Sequence, residues 1–332
     1  NLFGAIEFYQ AAKKADIKPI IGCEVYMAPK SRLDREGAST HEDDYSEEGG
    51  GGGTTPYYHL ILLAANEQGY KNLIKLISIA NMEGFYYKPR IDKEILQKYN
   101  TGIIGLSGCL RGEIPYLLNL GYEKEAQAAA NDYLDIFGKD RFFIEIQDNG
   151  LDIQRAVNKK LIALAQKNNI PIVATNDCHY LHKEDTRAHD IMLCIQTGKT
   201  VNAPHRMRFQ TDQMYFKSSE EMTAAFSEIP DAVKNTRYIA DQIDLQLEFG
   251  KLHLPNYAPP AGYTREEYLK SLAVSGLQKR LCEKKGTFDE LAYEQRLLSE
   301  LAVIDKAEYA GYFLIVWDIL THAKESKIPI GP

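Results

Sequence analysis

Residues 170–180 read IPIVATNDCHY, an apolar, partly β-branched run that turns polar near its end. A run of this length predicts a strand buried on both faces, as in parallel sheets. Working outward, the same unit recurs upstream. RFFIEIQ (141–147) precedes a helical pattern over 152–168, GIIGLSG (102–108) precedes helical stretches over 112–120 and 123–137, and HLILLAA (59–65) precedes one over 68–81. Downstream, a helix is expected to begin near Lys183. PIIGCEVYMA (19–28) is a further strand-length run, preceded by an apolar stripe of Leu2, Ala5, Ile6, Tyr9 and Ala12 at helical spacing with Asn1 as N-cap. Repeated strand–helix units predict a mostly parallel sheet, either a (β/α) barrel or a doubly wound sheet. Barrels of this kind carry their chemistry at the C-terminal strand ends.

The composition allows a substantial core. The chain has 332 residues, 44% hydrophobic and 26% charged, enough for two ordinary domains or one barrel with a smaller partner. No apolar stretch has membrane-spanning length, so no membrane partner is expected. The chain opens Asn1-Leu2-Phe3 without the features of a signal peptide, and the expectation is that it is cut at the front. Five scattered cysteines do not make a disulfide framework and point to a reducing cytoplasm. A net charge of −7 does not advertise nucleic-acid binding. A carboxylate-rich metal site inside a larger DNA-binding machine would reconcile the two, with the basic surface elsewhere.

Residues 29–57 read as a long loop, acidic around Glu42 to Glu48 and ending in five glycines, and are expected to be a mobile insertion. The character changes after about residue 215. Residues 218–245 predict a helical pair opened by Ser218-Ser219-Glu220-Glu221. The Pro-rich stretch LHLPNYAPPAGYT (252–264) predicts a link, and helices are expected over 265–285, 288–305 and about 312–325.

Asp177 and His179 are two residues apart, so an extended chain points both to the same side. A carboxylate beside an imidazole at a strand end suits Zn²⁺ or Mn²⁺. The plainer reading is a strand end that is polar because a loop begins there. Glu24 lies within the apolar IIGCEVY, where a buried carboxylate is costly unless a metal, a Lys or Arg, or a place at the sheet's rim relieves it. His59 opens one apolar run and Cys109 closes another. Each alone is more often structural, and their force comes from recurring at strand edges that could converge. His59 stands at the start of its run, so that strand is the one that could run differently from simple alternation. His41 reads as solvated, and His182, His189, Asp185 and Asp190 as capping or surface residues. Glu145 and Asp148 end the strand RFFIEIQ and could approach the same centre, but a solvated rim is the better reading. No phosphate-cradling Gly-rich Lys loop, nucleophile elbow or paired Cys-x-x-Cys motif is present.

GCEVYMAP (22–29), HLILLAANEQGYKNLIKLIS (59–78), GIIGLSGCLRGEIP (102–115) and IVATNDCHYLHKEDTRAHDIMLCIQTGK (172–199) together resemble the PHP domain of bacterial replicative polymerases. QMYFKSSEEM (213–222), IPDAVKNTRYIADQID (229–244) and AEYAGYFLIVWDILTHAKESKIPIGP (307–332) resemble the segment C-terminal to that domain in the catalytic alpha subunits of bacterial DNA polymerase III. The resemblance runs collinearly through essentially the whole chain. No inserted exonuclease separates Glu24 from His179, so the uninterrupted type of alpha subunit is the better match.

The resemblance implies a distorted (β/α)7 barrel with up to three divalent metals at one end. It implies the organisation 1–215 PHP domain, 216–264 helical connector, and 265–332 helical start of the polymerase palm region. Matched residue by residue, it implies the metal ligands Glu24, His59, Cys109, Asp177 and His179. The family's first ligands, in a His-x-His strand, an Asp and a further His, are not in this sequence, nor are its polymerase aspartates. The chain alone is therefore expected neither to polymerise DNA nor to hold a complete cluster. For the parent, the resemblance implies Mg²⁺-dependent DNA synthesis on primer-template DNA from deoxynucleoside triphosphates, a sliding clamp and other replicase subunits as partners, and a Zn²⁺- or Mn²⁺-dependent 3′–5′ exonuclease in the PHP domain. The alternatives are a stand-alone PHP phosphoesterase, which leaves 216–332 without a use, and a PHP domain that is a metal-stabilised scaffold without turnover.

Overall fold

The computed structural model describes residues 1–35, 57–251, 255–284, 286 and 289–331. Two compact units divide the chain, Asn1–Leu247 and Glu248–Pro332. In the first, seven strands form one sheet: β1 (Gly22–Met27), β2 (Tyr58–Ala64), β3 (Phe85–Tyr86), β4 (Lys88–Ile91), β5 (Ile103–Leu106), β6 (Phe142–Gln147) and β7 (Ile172–Thr175). Their spatial order is β3-β4-β1-β2-β5-β6-β7. The helices of this unit are α1 (Ala5–Lys14), α2 (Glu67–Met82), α3 (Lys93–Lys98), α4 (Glu113–Asn119), α5 (Glu123–Phe137), α6 (Asp152–Asn168), α7 (Thr186–Thr197), α8 (Ser219–Ala225) and α9 (Pro230–Gln242).

The expected mostly parallel sheet is instead mixed. β5, β6 and β7 run parallel, as do β1 and β4, but β2 is antiparallel to both of its neighbours, β1 and β5. The result is a barrel-like α/β sheet, distorted by the reversed β2 inside it and by the short β3, antiparallel to β4, at its edge. β2 is the strand that His59, standing at the start of its run, marks as able to run differently; the apolar run itself gives no sign of it, because strand periodicity carries no direction. The short hairpin of β3 with β4, and α3 after it, were not anticipated; KPRI is too polar and too short to stand out.

Several boundaries follow from local chemistry. Asn66 and Asp92 accept the N–H groups of Gly69 and Ile95 to cap α2 and α3. Ser218 and Glu221 form the capping box that opens α8, as the sequence suggested. Asn1 does not cap α1; Gly4 occupies that position, the Asn1 amino group reaches Cys23, and Ile6 is exposed. His182 and Asp185 do form a capping pair, ahead of α7. The expected insertion falls mostly outside the described residues, which omit 36–56 and with them His41, Glu42 to Glu48 and all five glycines of that stretch.

The core lies between the sheet and its helices, with Leu60, Leu62 and Ala64 of β2 buried on one face and all six residues of β6 buried. Phe226, Ala232, Ile239, Ile243 and Leu245 join this same core. Part of the segment read as a connector is therefore packed structure of the first unit, with α9 lying on β7. The second unit consists of α10 (Arg265–Glu283), α11 (Glu290–Lys306) and α12 (Ala310–Glu325), close to the expected helices, around a small core of Leu269, Leu301, Ala310 and Leu314. Among the described residues no helix is long and apolar enough to cross a membrane.

Leu62 has no exposed surface. Leu62→Ala is expected to destabilise the first unit by about 2–5 kcal/mol, the usual cost of a transfer loss plus a cavity. Urea unfolding read by circular dichroism checks this, and a loss below about 1 kcal/mol would contradict the packing described.

Candidate metal centre

Strand register brings Glu24 and His59 to one face of the sheet. Tyr26 of β1 pairs with His59 of β2, and Glu24 pairs with Ile61. Paired residues share a face, so Glu24, Tyr26, His59 and Ile61 point the same way, with Glu24 diagonal to His59. Because β2 is reversed, the start of that strand lies beside the C-terminal ends of its neighbours. His59 therefore sits where the chemistry of a barrel belongs, although it opens its strand.

Cys109 reaches the same place through a turn. β5 ends at Leu106, and Gly108 takes φ +82°, a left-handed conformation that glycine adopts without a Cβ penalty. A Cβ there would stand 2.8 Å from the His59 carbonyl oxygen. The His59 N–H donates to the Arg111 carbonyl at 2.9 Å, and the Gly112 N–H donates to the Cys109 carbonyl at 2.8 Å, so the turn is tied to β2. The His59 ring stacks parallel to Tyr57 at 6.0 Å and meets Tyr26 edge-on at 5.5 Å.

These constraints bring three donors together. His59 Nδ1 is 3.2 Å from Glu24 Oε1 and 3.6 Å from Cys109 Sγ. All three donor atoms lie within 4.8 Å of one another, the one such trio among the described residues. Tetrahedral zinc with bonds of about 2.0–2.3 Å separates its donors by roughly 3.3–3.7 Å, so this spacing fits such an ion. The thiol is held well above the ordinary cysteine range, chiefly by burial; the Arg111 N–H pulls it down, while the Glu24, Asp177 and Glu145 carboxylates push it up. A cation held beside such a thiol would favour its ionised form. Of the ways to relieve its apolar setting, Glu24 has a place at the rim: its side chain is 43% exposed, because alternation sends Val25 and Met27 to the core instead.

Asp177 and His179 form a second group. His179 Nε2 lies 3.2 Å from Asp177 Oδ1, just beyond the end of β7. The Asp177 charge raises both Cys109 and Glu145, which relates this pair to the trio, but the two residues stand outside the trio's donor cluster. The His179 ring packs on Phe209 at 4.6 Å and on His189 at 5.6 Å. His189 is therefore part of an aromatic stack and not simply a surface residue. Asp190, also read as surface, pairs with Arg206 at 2.5 Å, and this guanidinium holds its carboxyl below the usual carboxylate range.

A groove of about 1100 Å³ opens beside this stack, with Arg155, Lys183, Arg187, Arg206 and Arg208 among its walls. Arg206 is engaged by Asp190, Lys183 by Asp212 and Arg155 by Asp148. Arg187 and Arg208 are exposed, and neither guanidinium makes a hydrogen bond or ion pair among the described residues. This basic wall escaped the sequence reading because its residues are spread over some 50 positions of a chain whose net charge is −7. The local clue was HRMRFQ (205–210), which interleaves cations with an aromatic ring.

Glu145 is a further correction. It is only 4% exposed, not a solvated rim, and Asp148 is bound to Arg155. Burial raises the Glu145 carboxyl, against the pull of hydrogen bonds from Thr175, Gln147 and Gly108. The signal was present in FFIEIQ, a lone carboxylate in an apolar run, the same signal that singled out Glu24.

Two family models match separate parts of the chain. Residues 1–149 match the PHP domain family, and residues 267–332 match the family described as the bacterial DNA polymerase III alpha NTPase domain. Curated relatives that this chain is similar to along its whole length include bacterial DNA polymerase III alpha subunits. It is 44% identical to the DNA polymerase III subunit alpha of Treponema pallidum, with all of this chain and 27% of that protein aligned. The corresponding values are 41% and 27% for the subunit of Borreliella burgdorferi, and 38% and 31% for that of Thermus aquaticus, again over the whole chain. The chain thus spans between a quarter and a third of the length of these relatives. The trio lies within the matched PHP domain, and Asp177 and His179 lie beyond its matched boundary.

Gly108→Ala would force a left-handed φ on alanine and press its Cβ on the His59 carbonyl. A loss of about 1–3 kcal/mol is expected on thermal unfolding, with changed amide shifts at His59 and Cys109. Unchanged stability would mean that the turn is not held as described.

Proposed function

We propose that this chain is the PHP domain and following helical segment of a replicative DNA polymerase, and that its metal centre hydrolyses phosphodiester bonds at a DNA 3′ end. The observation that carries the hydrolytic reading is the trio of Glu24, His59 and Cys109, with donor atoms within 4.8 Å of one another. Asp177 and His179 supply the remaining proposed ligands. The polymerase reading is supported by similarity that continues through residues 267–332, for which a stand-alone phosphoesterase has no use. For the full-length protein the proposal extends to Mg²⁺-dependent synthesis on primer-template DNA from deoxynucleoside triphosphates, with a sliding clamp and other replicase subunits as partners in the cytoplasm.

A divalent ion held by these residues would supply Lewis-acid polarisation of a phosphoryl oxygen and a lowered pKa for water. A thiolate among the ligands favours zinc over magnesium, and the carboxylates and imidazoles admit manganese. His59, fixed between Tyr57 and Tyr26, presents Nδ1 to Glu24 and Cys109 alike. Glu24 stays accessible from solvent, as a ligand beside an incoming phosphate should. Arg187 and Arg208 would take the phosphates of a single strand whose end reaches Asp177 and His179, since guanidinium groups match phosphate geometry.

In the full-length protein, Asp177→Ala with His179→Ala should abolish 3′–5′ exonuclease activity while leaving primer extension intact. Nuclease activity equal to that of the wild type would refute the assignment. A wild type with no nuclease activity at any metal concentration, but destabilised by chelators, would favour the metal as a brace for the fold. Replacing Arg187 and Arg208 together by alanine should reduce the slope of log affinity against log salt for a single-stranded oligonucleotide by about 1.4, from about 0.7 per phosphate contact. An identical slope would place the strand elsewhere.

A further inference from the structure

Glu145 stands two residues before the end of β6 and is 4% exposed. Its hydrogen-bond partners are neutral. The Gly108 N–H donates to Oε2 at 3.0 Å, Gln147 Nε2 donates to Oε1 at 3.1 Å, and the Thr175 hydroxyl also donates to Oε1. The Glu145 backbone N–H donates to Ser107 Oγ at 2.8 Å. No Lys or Arg pairs with this carboxylate among the described residues. A buried anion satisfied only by neutral donors is costly, and a nearby cation offsets that cost.

The partners share one further property. Ser107 and Gly108 lead directly into Cys109, and Thr175, the last residue of β7, stands two residues before Asp177. One side chain therefore grips the two strand ends that carry the Cys109 thiol and the Asp177 carboxylate. We propose that Glu145 is a positioning residue of the metal centre: a buried carboxylate, not itself a ligand, that fixes Cys109 and Asp177 relative to each other and places negative charge beneath the bound cation. The inference rests on the metal reading given above. Outer-shell carboxylates of this kind orient ligands, and their loss weakens metal affinity about 10- to 100-fold.

Glutamine is not a neutral replacement at this position. Both carboxylate oxygens accept from donors, and Gln147 cannot simply reverse, because its Oε1 already accepts from Gln154 Nε2 at 3.2 Å. A Glu145→Gln side chain would turn an N–H toward another N–H, as well as remove the charge.

The test is a Co²⁺ titration of the full-length protein, read by the cobalt–thiolate charge-transfer absorption, with Cys109→Ser as the reference for that band. The wild type should show a band that Cys109→Ser lacks. Glu145→Gln should then need about 10- to 100-fold more cobalt for half-saturation. Thr175→Val, which removes one grip without burying a new polar group, should shift the midpoint in the same direction by less, and it carries the test if Glu145→Gln does not fold. A wild-type band with unshifted midpoints in the folded variants would overturn the role of Glu145 alone. Absence of any Cys109-dependent band in the wild type would overturn the metal reading and this inference together.

Discussion

The site depends on the direction of one strand. β2 runs antiparallel to both β1 and β5, and the ladder bonds on its two sides lock it in that sense. A parallel β2 would carry His59 to the opposite end of the sheet from the Cys109 turn. Reversed, it sets His59 across from Tyr26 and diagonal to Glu24, and the Arg111 carbonyl then takes the His59 N–H. A shift of one residue in this ladder would also turn His59 into the core and Leu60 into the mouth, so the burial of Leu60, Leu62 and Ala64 holds the register. Hydrophobic packing on one face thereby positions the polar chemistry on the other.

Behind the mouth lies a layer of buried polar side chains that an ordinary core would avoid. Glu145, Gln147, Gln154 and Asn149 are nearly inaccessible and satisfy one another in sequence: Gln147 donates to Glu145, Gln154 to Gln147, and Gln154 Oε1 accepts the Asn149 N–H. Asn149 continues to Asn176 at 3.1 Å, one residue before Asp177. A fully satisfied network of this kind adds specificity, because each member fixes the rotamer of the next. It joins the ends of β5, β6 and β7 with directional bonds where apolar contacts alone would allow sliding.

Much of the architecture was legible before any coordinates. α5 and α6 occupy the expected ranges, and the capping box at Ser218 opens α8, because helix signals are local and repeat every turn. What residue type left open depends on distant partners. Glu24 and Glu145 each look like a lone carboxylate in an apolar run; one is exposed at the rim and the other is buried. The inside of a sheet is defined by what packs on it, and nothing within six residues of strand encodes that. His189 and Phe209 meet His179 only because the chain after α7 folds back on itself, which no periodicity announces.

By itself, the sequence determined most of the strands and helices, β3, β4 and α3 excepted, and which side chains can coordinate a cation, since both follow from residue type and local spacing. It also carries similarity to bacterial DNA polymerase III alpha subunits, collinear along the whole chain. Tertiary structure alone decided that β2 is reversed, that Glu24, His59 and Cys109 converge while Asp177 and His179 form a neighbouring pair, and that the basic groove exists in an acidic chain. The physical reason is the same in each case. Strand direction, proximity and local potential are sums over residues far apart in sequence, and they acquire values only when the chain has packed.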